Sequence, residues 1–171
     1  MPSLPFLPYR RQGQIWPSLL LTAMMLTVAP VAHASIVVGQ GIAGVKLGDS
    51  EAQVTQILGP PSLQQPPDSQ GVTSWNYTKA PLLGVVSFTN GDATGMWTAS
   101  KKQKTSKGVG PGSSLAQVRK AYPKAKCSTG PFGPKSLICT LKSKYHGHAV
   151  ETTFPFFTRS MGAREVDIDF G

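Results

Sequence analysis

The chain predicts an α+β fold: tandem helix-strand-strand-strand repeats forming a two-layer domain, with an antiparallel sheet and both helices on one face. Three observations carry that expectation. The phrase GVKLGDSEAQV at 44–54 returns as GVGPGSSLAQV at 108–118, with seven of eleven positions identical. Each copy runs into a short amphipathic segment of helical period. Each of those is followed by stretches of strand length in which apolar and polar residues alternate. A helix of about nine residues is not stable alone in water. Two units together supply six strands and two helices, enough for two layers with one sheet face left to solvent or a partner.

Residues 1–34 stand apart from this domain. Arg10 and Arg11 precede an apolar run at 19–29, and Ala32-His33-Ala34 follows it. Positive start, short apolar core and small-x-small site, in that order, predict a secretory signal peptide cleaved near Ala34. The run is shorter than the roughly 20 apolar residues that a membrane-spanning helix needs. The product is expected outside the cell or in the cell envelope. Without the leader, 15 Lys and Arg face 8 Asp and Glu, a net charge of +7. Such a charge serves solubility and favours anionic partners. An acidic exported protein and an anionic cell-wall polymer both fit. Nucleic acid is not expected, because no basic helix or aromatic-basic motif accompanies the charge.

The first repeat is placed at 35–99. Ser50 and Gln53 fit S-x-x-Q, the capping box in which hydroxyl and amide satisfy backbone donors at a helix start. Gly48 turns the chain just before it. The helix runs to about Leu58 with Val54, Ile57 and Leu58 on one face, and Gly59-Pro60-Pro61 stops it. The Pro- and Gln-rich segment 60–71 reads as a long loop. Residues 73–78 alternate, with Trp75 and Tyr77 on one face. Residues 85–89 form the next strand, Asn90-Gly91 signals a tight hairpin, and 93–99, with Met96 and Trp97, return. Residues 100–107 read as a polar basic linker.

The second repeat is placed at 108–171. Gly112, Ser114 and Gln117 repeat the helix start. Leu115, Val118 and Tyr122 line its inner face, and Pro123 ends it. Strands are expected at 137–141, at 149–156 after a turn at 145–148, and at 164–170. In the last of these Val166, Ile168 and Phe170 point inward, and Glu165, Asp167 and Asp169 outward.

Cys127 and Cys139 are an even pair in a chain expected to be exported, which points to a disulfide. The intervening Gly130-Pro131-Phe132-Gly133-Pro134 is rich in turn formers, so a bridged hairpin is expected, closed by roughly 2–3 kcal/mol in the chain-entropy model. A reactive thiol or a metal pair are the rival readings, but the spacing exceeds C-x-x-C and no second ligand pair stands nearby. No nucleophile-elbow, phosphate-loop or zinc-helix motif occurs. His146-x-His148 with Glu151, and the carboxylates of 165, 167 and 169, are read as solvated rather than as metal ligands. No catalytic residue, cofactor or metal is nominated, and an enzyme is not expected. Trp75, Tyr77, Trp97, Phe132 and Tyr145 are the candidate partner-binding side chains, being the large amphipathic groups favoured at interface hot spots. Core packing is the competing reading for Trp75 and Tyr77.

The duplicated G-x-S-x-x-x-V helix start, with a helix ended near proline and an antiparallel sheet after it, resembles the beta-lactamase inhibitory protein family. It is also similar to the small outer-membrane lipoproteins of the SmpA/OmlA group, which assist barrel assembly. The second half is the closer match to the inhibitor: Cys127, then Thr129-Gly130, then Phe132-Gly133, then Cys139 in a strand. The first half has no cysteines where the inhibitor has a bridge, and no lipid-anchor cysteine stands near Ala34. The resemblance implies a monomeric, non-enzymatic binding domain, with inhibition of an exported enzyme as its specific form. A structural or assembly factor on anionic envelope material is the alternative.

Overall fold

The computed structural model describes residues 35–79, 81–82, 84–158 and 162–171. The leader expected at 1–34 lies outside the described residues. Both repeated phrases form helix starts. Helix α1 spans Glu51–Leu58 and α2 spans Leu115–Ala121. Ser50 and Ser114 hold nearly identical extended backbone, φ −70° and −71° with ψ 159° in both. Ser50 Oγ accepts the Gln53 N–H, and Ser114 Oγ accepts that of Gln117. Each cap N–H in turn donates to the glutamine Oε1 at 2.8 Å. Val54 and Val118 follow at the centre of each buried stripe. Ile57, expected beside Val54, is instead 43% exposed. It lies roughly 60° around the helix from Val54, and its Cγ2 stands 3.3 Å from where a Cβ on Gly44 would be.

The sheet has eight strands, not six. They are β4 (Leu63–Gln65), β5 (Val72–Tyr77), β6 (Gly84–Thr89), β7 (Asp92–Thr98), β8 (Lys126–Thr129), β9 (Leu137–Tyr145), β10 (His148–Phe156) and β11 (Val166–Phe170). Their order is β4-β5-β6-β7-β11-β10-β9-β8, antiparallel throughout. The two unforeseen members, β4 and β8, are the edges, too short to carry a readable alternation. A separate small sheet, β1 (Ile36–Val37), β2 (Gly41–Ile42) and β3 (Val45–Lys46), precedes α1. The hairpin turns at Asn90-Gly91 and His146-Gly147 have positive φ at both positions, 54° and 84°, 48° and 85°. That is what a two-residue turn matched to strand twist requires. Strand β10 ends at Phe156, as expected, and passes through Pro155 to pair Phe156 with Leu137.

Strand register decides which side chains share a face. One row crosses six strands as Trp75, Val86, Met96, Ile168, Thr152 and Leu141. Both helices and the small sheet cover this side. Tyr77 Oη, on the same face as Trp75, donates to the Gly59 carbonyl at the end of α1. Tyr122, at the end of α2, stacks on Phe154 at 6.0 Å. The Gly39 N–H donates to Thr152 Oγ1 at 2.9 Å. The core lies here, among Val54, Val118, Phe88, Phe154, Phe156 and Ile168. Phe88 adds a ring contact to Trp75 at 4.7 Å.

Segment 100–107 is not a free linker. Ser100, Gln103 and Thr105 are buried. The Lys104 carbonyl accepts the N–H groups of Ser35 and Ile36 at 3.0 Å each. The amide of Gln103 donates to the Pro81 carbonyl at 2.6 Å. Four lysines kept the segment looking solvated, yet its short polar side chains and its backbone are what the domain uses. Among the described residues no helix is long and apolar enough to cross a membrane.

Candidate functional site

The second sheet edge builds the most exposed aromatic feature among the described residues. Cys127 and Cys139 are direct cross-strand partners and are joined by a disulfide, so β8 is fastened to β9. The loop between them is closed at its neck by the Gly130 N–H donating to the Ser136 carbonyl at 3.0 Å. Ser136 also donates through Oγ to the Gly133 carbonyl at 2.7 Å. This turn displays Phe132, 52% exposed. Its ring stacks on Phe157, centroids 4.6 Å apart and 25° from parallel. On Phe157 lies the Arg164 guanidinium, 4.6 Å from the ring centroid. Such a disulfide belongs to an oxidising compartment and is in keeping with an exported protein.

Beside this tier runs a groove of about 680 Å³ lined by Lys101, Gly112, Phe157, Gly162, Ala163 and Arg164. Its floor is backbone held by backbone: Gly112 donates to the Ala163 carbonyl at 2.7 Å, and Ala163 to that of Ser113 at 2.8 Å. The groove is cationic. Among the described residues its lining carries two cations, Lys101 and Arg164, and no acid. Outside the lining, burial, with the charge of Lys101 second, holds the Lys104 ammonium below the ordinary lysine range, where it donates to the Pro111 carbonyl at 2.8 Å. The ion pair among the described residues is elsewhere, Lys142 Nζ to Glu151 Oε1 at 2.6 Å. From Asp92 to Glu151 the chain carries eleven Lys and Arg and no intervening acidic residue.

The sequence-predicted residues fall into three places. Trp75 and Tyr77 are 5% and 7% exposed and belong to the core. Burial under the helices leaves them no surface for a partner, which corrects their nomination. Trp97 is half-buried on the other face, in a row that crosses all eight strands: Leu63, Asn76, Val85, Trp97, Asp167, Thr153, Thr140 and Lys126. Tyr145 is half-buried against the core, edge-on to His146 at 4.1 Å. Only Phe132 joins the exposed tier. Its companions Phe157, Arg164 and Lys101 were not nominated. The doublet Phe156-Phe157 was a usable signal, since neighbours on a strand end point to opposite sides, and Phe156 is fully buried.

Asp167 is the unusual acid. Burial first, then the Glu165 charge, pushes its carboxyl up to about 7, against a lowering hydrogen bond from Thr153 and a further small rise from Asp169. The Thr153 hydroxyl donates to its Oδ2 at 3.1 Å. Asp169 is raised as well, by burial and then by Glu151. Among the described residues no three His, Cys, Asp or Glu side chains are grouped to hold a metal ion. His146 sits in the β9–β10 turn, and His148 packs on Phe170 at 5.4 Å.

No protein-family model matches the chain, and no curated protein does. Among solved structures, the chain is similar to an extracellular protein containing a SCP domain from Bacillus anthracis str. Ames. The identity is 14% and the TM-score 0.49, over 72% of this chain and 44% of that one. This chain thus spans less than half the length of that protein.

Proposed function

We propose that the chain is an exported, non-enzymatic binding domain whose partner is another exported or envelope protein, bound by a monomer. The observation that carries this reading is Phe132: a large apolar side chain held half in water on a disulfide-fastened turn, stacked on a second ring. A side chain so placed contributes little to its own fold, and its burial in a complex is favourable by up to about 1–2 kcal/mol. Arg and aromatic groups side by side are the composition of interface hot spots. Inhibition of an exported enzyme is the specific form we propose, after the family resemblance. The domain is further read as an internal duplication. That reading is supported by the matched capping boxes and by a strand order in which four strands from each half meet at β7 and β11.

The test is capture from culture supernatant or envelope extract, with the exported chain as bait at micromolar concentration. A protein retained by wild type and lost with Phe132→Ala supports the reading. No retained protein, or equal retention by the variant, counts against it. The cation-rich stretch 93–150 favours a second reading, a factor bound to anionic envelope material. It predicts sedimentation with purified envelopes that salt reverses, and salt-independent behaviour removes it.

A further inference from the structure

We infer that the groove between Lys101, Phe157 and Arg164 is a docking site for an acidic segment of the partner protein. A carboxylate would sit between the Lys101 ammonium and the Arg164 guanidinium, and an adjacent apolar side chain would lie against Phe157 and Phe132. The inference rests on the reading of the chain as a protein-binding domain and names the chemistry that its site selects.

The groove is pre-shaped. A Cβ on Gly162 would stand 2.5 Å from the Gly112 carbonyl oxygen, so the two backbones meet only because position 162 has no side chain. The stem of Lys101 runs 3.7 Å from where a Gly112 Cβ would stand, which lays its chain along the groove wall. Arg164 is anchored at the backbone by donation to the Pro155 carbonyl at 3.0 Å, and at the guanidinium by the Phe157 ring. A guanidinium held over a ring still has N–H groups to offer a planar acceptor, and a carboxylate is the side-chain group that takes two such bonds. Neither Lys101 nor Arg164 has a carboxylate partner among the described residues. Charge alone would suit any polyanion. The apolar surface of Phe132 and Phe157 at the same site favours a polypeptide, which can place an apolar side chain beside an acid. The groove volume suits a few side chains rather than a folded domain.

The experiment titrates the exported, ¹⁵N-labelled chain with the N-acetylated, amidated peptide Phe-Glu-Phe-Glu, following amide shifts. Saturable shifts at Gly112, Gly162 and Ala163 are expected. Lys101→Ala and Arg164→Ala should each weaken binding about tenfold, the loss of one charge-assisted contact. Replacing both glutamates of the peptide by glutamine should weaken it at least as much. The paired change Arg119→Ala and Lys120→Ala removes two positive charges from the exposed face of α2, more than either groove variant, and should still change affinity less than about twofold. Amide positions away from the groove and from the substituted residues should stay unchanged in every variant, which separates lost contact from lost fold. Absence of saturable shifts up to about 5 mM peptide, equal binding of the glutamine peptide, or equal loss in the α2 variant overturns the inference. A captured partner held equally by wild type and by the Lys101/Arg164 double variant overturns the groove alone. A chain that captures no partner overturns the binding-domain reading whatever the peptide does.

Discussion

Asp167→Asn should stabilise this protein at alkaline pH and leave it unchanged in acid. Asp167 lies on β11, facing Trp97 on β7 and Thr153 on β10. Burial and then Glu165 raise its carboxyl from 3.8 to about 7 in the fold. An acid raised on folding binds more protons in the native than in the unfolded state between those two values. Stability from this group is therefore fully present below about pH 4 and is lost as pH rises to about 7. The loss levels off above that range. At about 1.4 kcal/mol for each pH unit, the whole rise corresponds to about 4 kcal/mol. Asp167 is partly exposed as a residue, and its mostly buried carboxyl shares its field with Glu165 and Asp169, so about 2–4 kcal/mol is the expected range. Asparagine keeps the shape and the acceptor for the Thr153 hydroxyl without the charge. Urea unfolding near pH 4 should give equal stabilities for the two proteins, and unfolding near pH 8 should favour the variant by that amount. Thr153→Val adds a check of sign. Its hydroxyl stabilises the ionised form, so removing it should raise the titration midpoint further. A variant no more stable than wild type near pH 8, or a carboxyl midpoint near the ordinary 3.8, refutes the reasoning.

Four further outcomes follow from the packing. Val54→Ala should cost about 2–3 kcal/mol by thermal or urea unfolding, whereas Ile57→Ala should cost under about 0.5, because only the first lies in the core. Ser50→Ala and Ser114→Ala should each cost about 1 kcal/mol, and the double change about twice that, since the two caps share no partner. Replacing both cysteines by alanine should cost about 3 kcal/mol and raise hydrogen exchange first at Gly130 and Ser136, the neck of the Phe132 loop. Gly162→Ala should destabilise by more than about 2 kcal/mol, because the new carbon meets backbone that has no rotamer to yield, and Gly71→Ala, with open space around it, should cost about 1.

What was legible in the sequence was local. The capping boxes could be read because serine and glutamine act on backbone within one turn, and Asn90-Gly91 because a two-residue turn dictates its own φ. Alternation in β5 put Trp75 and Tyr77 on one face but could not say which face the helices cover. That depends on β7 pairing with β11, a contact between residues about 70 apart in the chain. Strands β1, β2 and β3 have two residues each, below the length at which a period exists. Four cations made 100–107 look solvated, although its burial falls on Ser100, Gln103 and Thr105. The exposed tier was legible at Phe132 alone, because Lys101, Phe157 and Arg164 arrive from three other segments and meet only in the fold.

The two edges of the sheet argue for where the function lies. At one edge, β4 exposes all three of its residues, carries no cross-link and displays no aromatic ring. At the other, β8 buries almost as little, with only Cys127 half-covered. Burial therefore holds neither edge firmly. A disulfide of about 3 kcal/mol at β8 is large beside what three exposed residues and one half-covered cysteine contribute by packing. Its benefit passes to the loop that it closes, and the tip of that loop adds no apolar side chain to the core: Ser136 at its neck is buried, but Phe132 points outward onto Phe157. A staple spent on the fold alone would serve β4 equally well. Its placement under an exposed ring, next to a cationic groove with a backbone floor, is what a surface held ready for a partner requires.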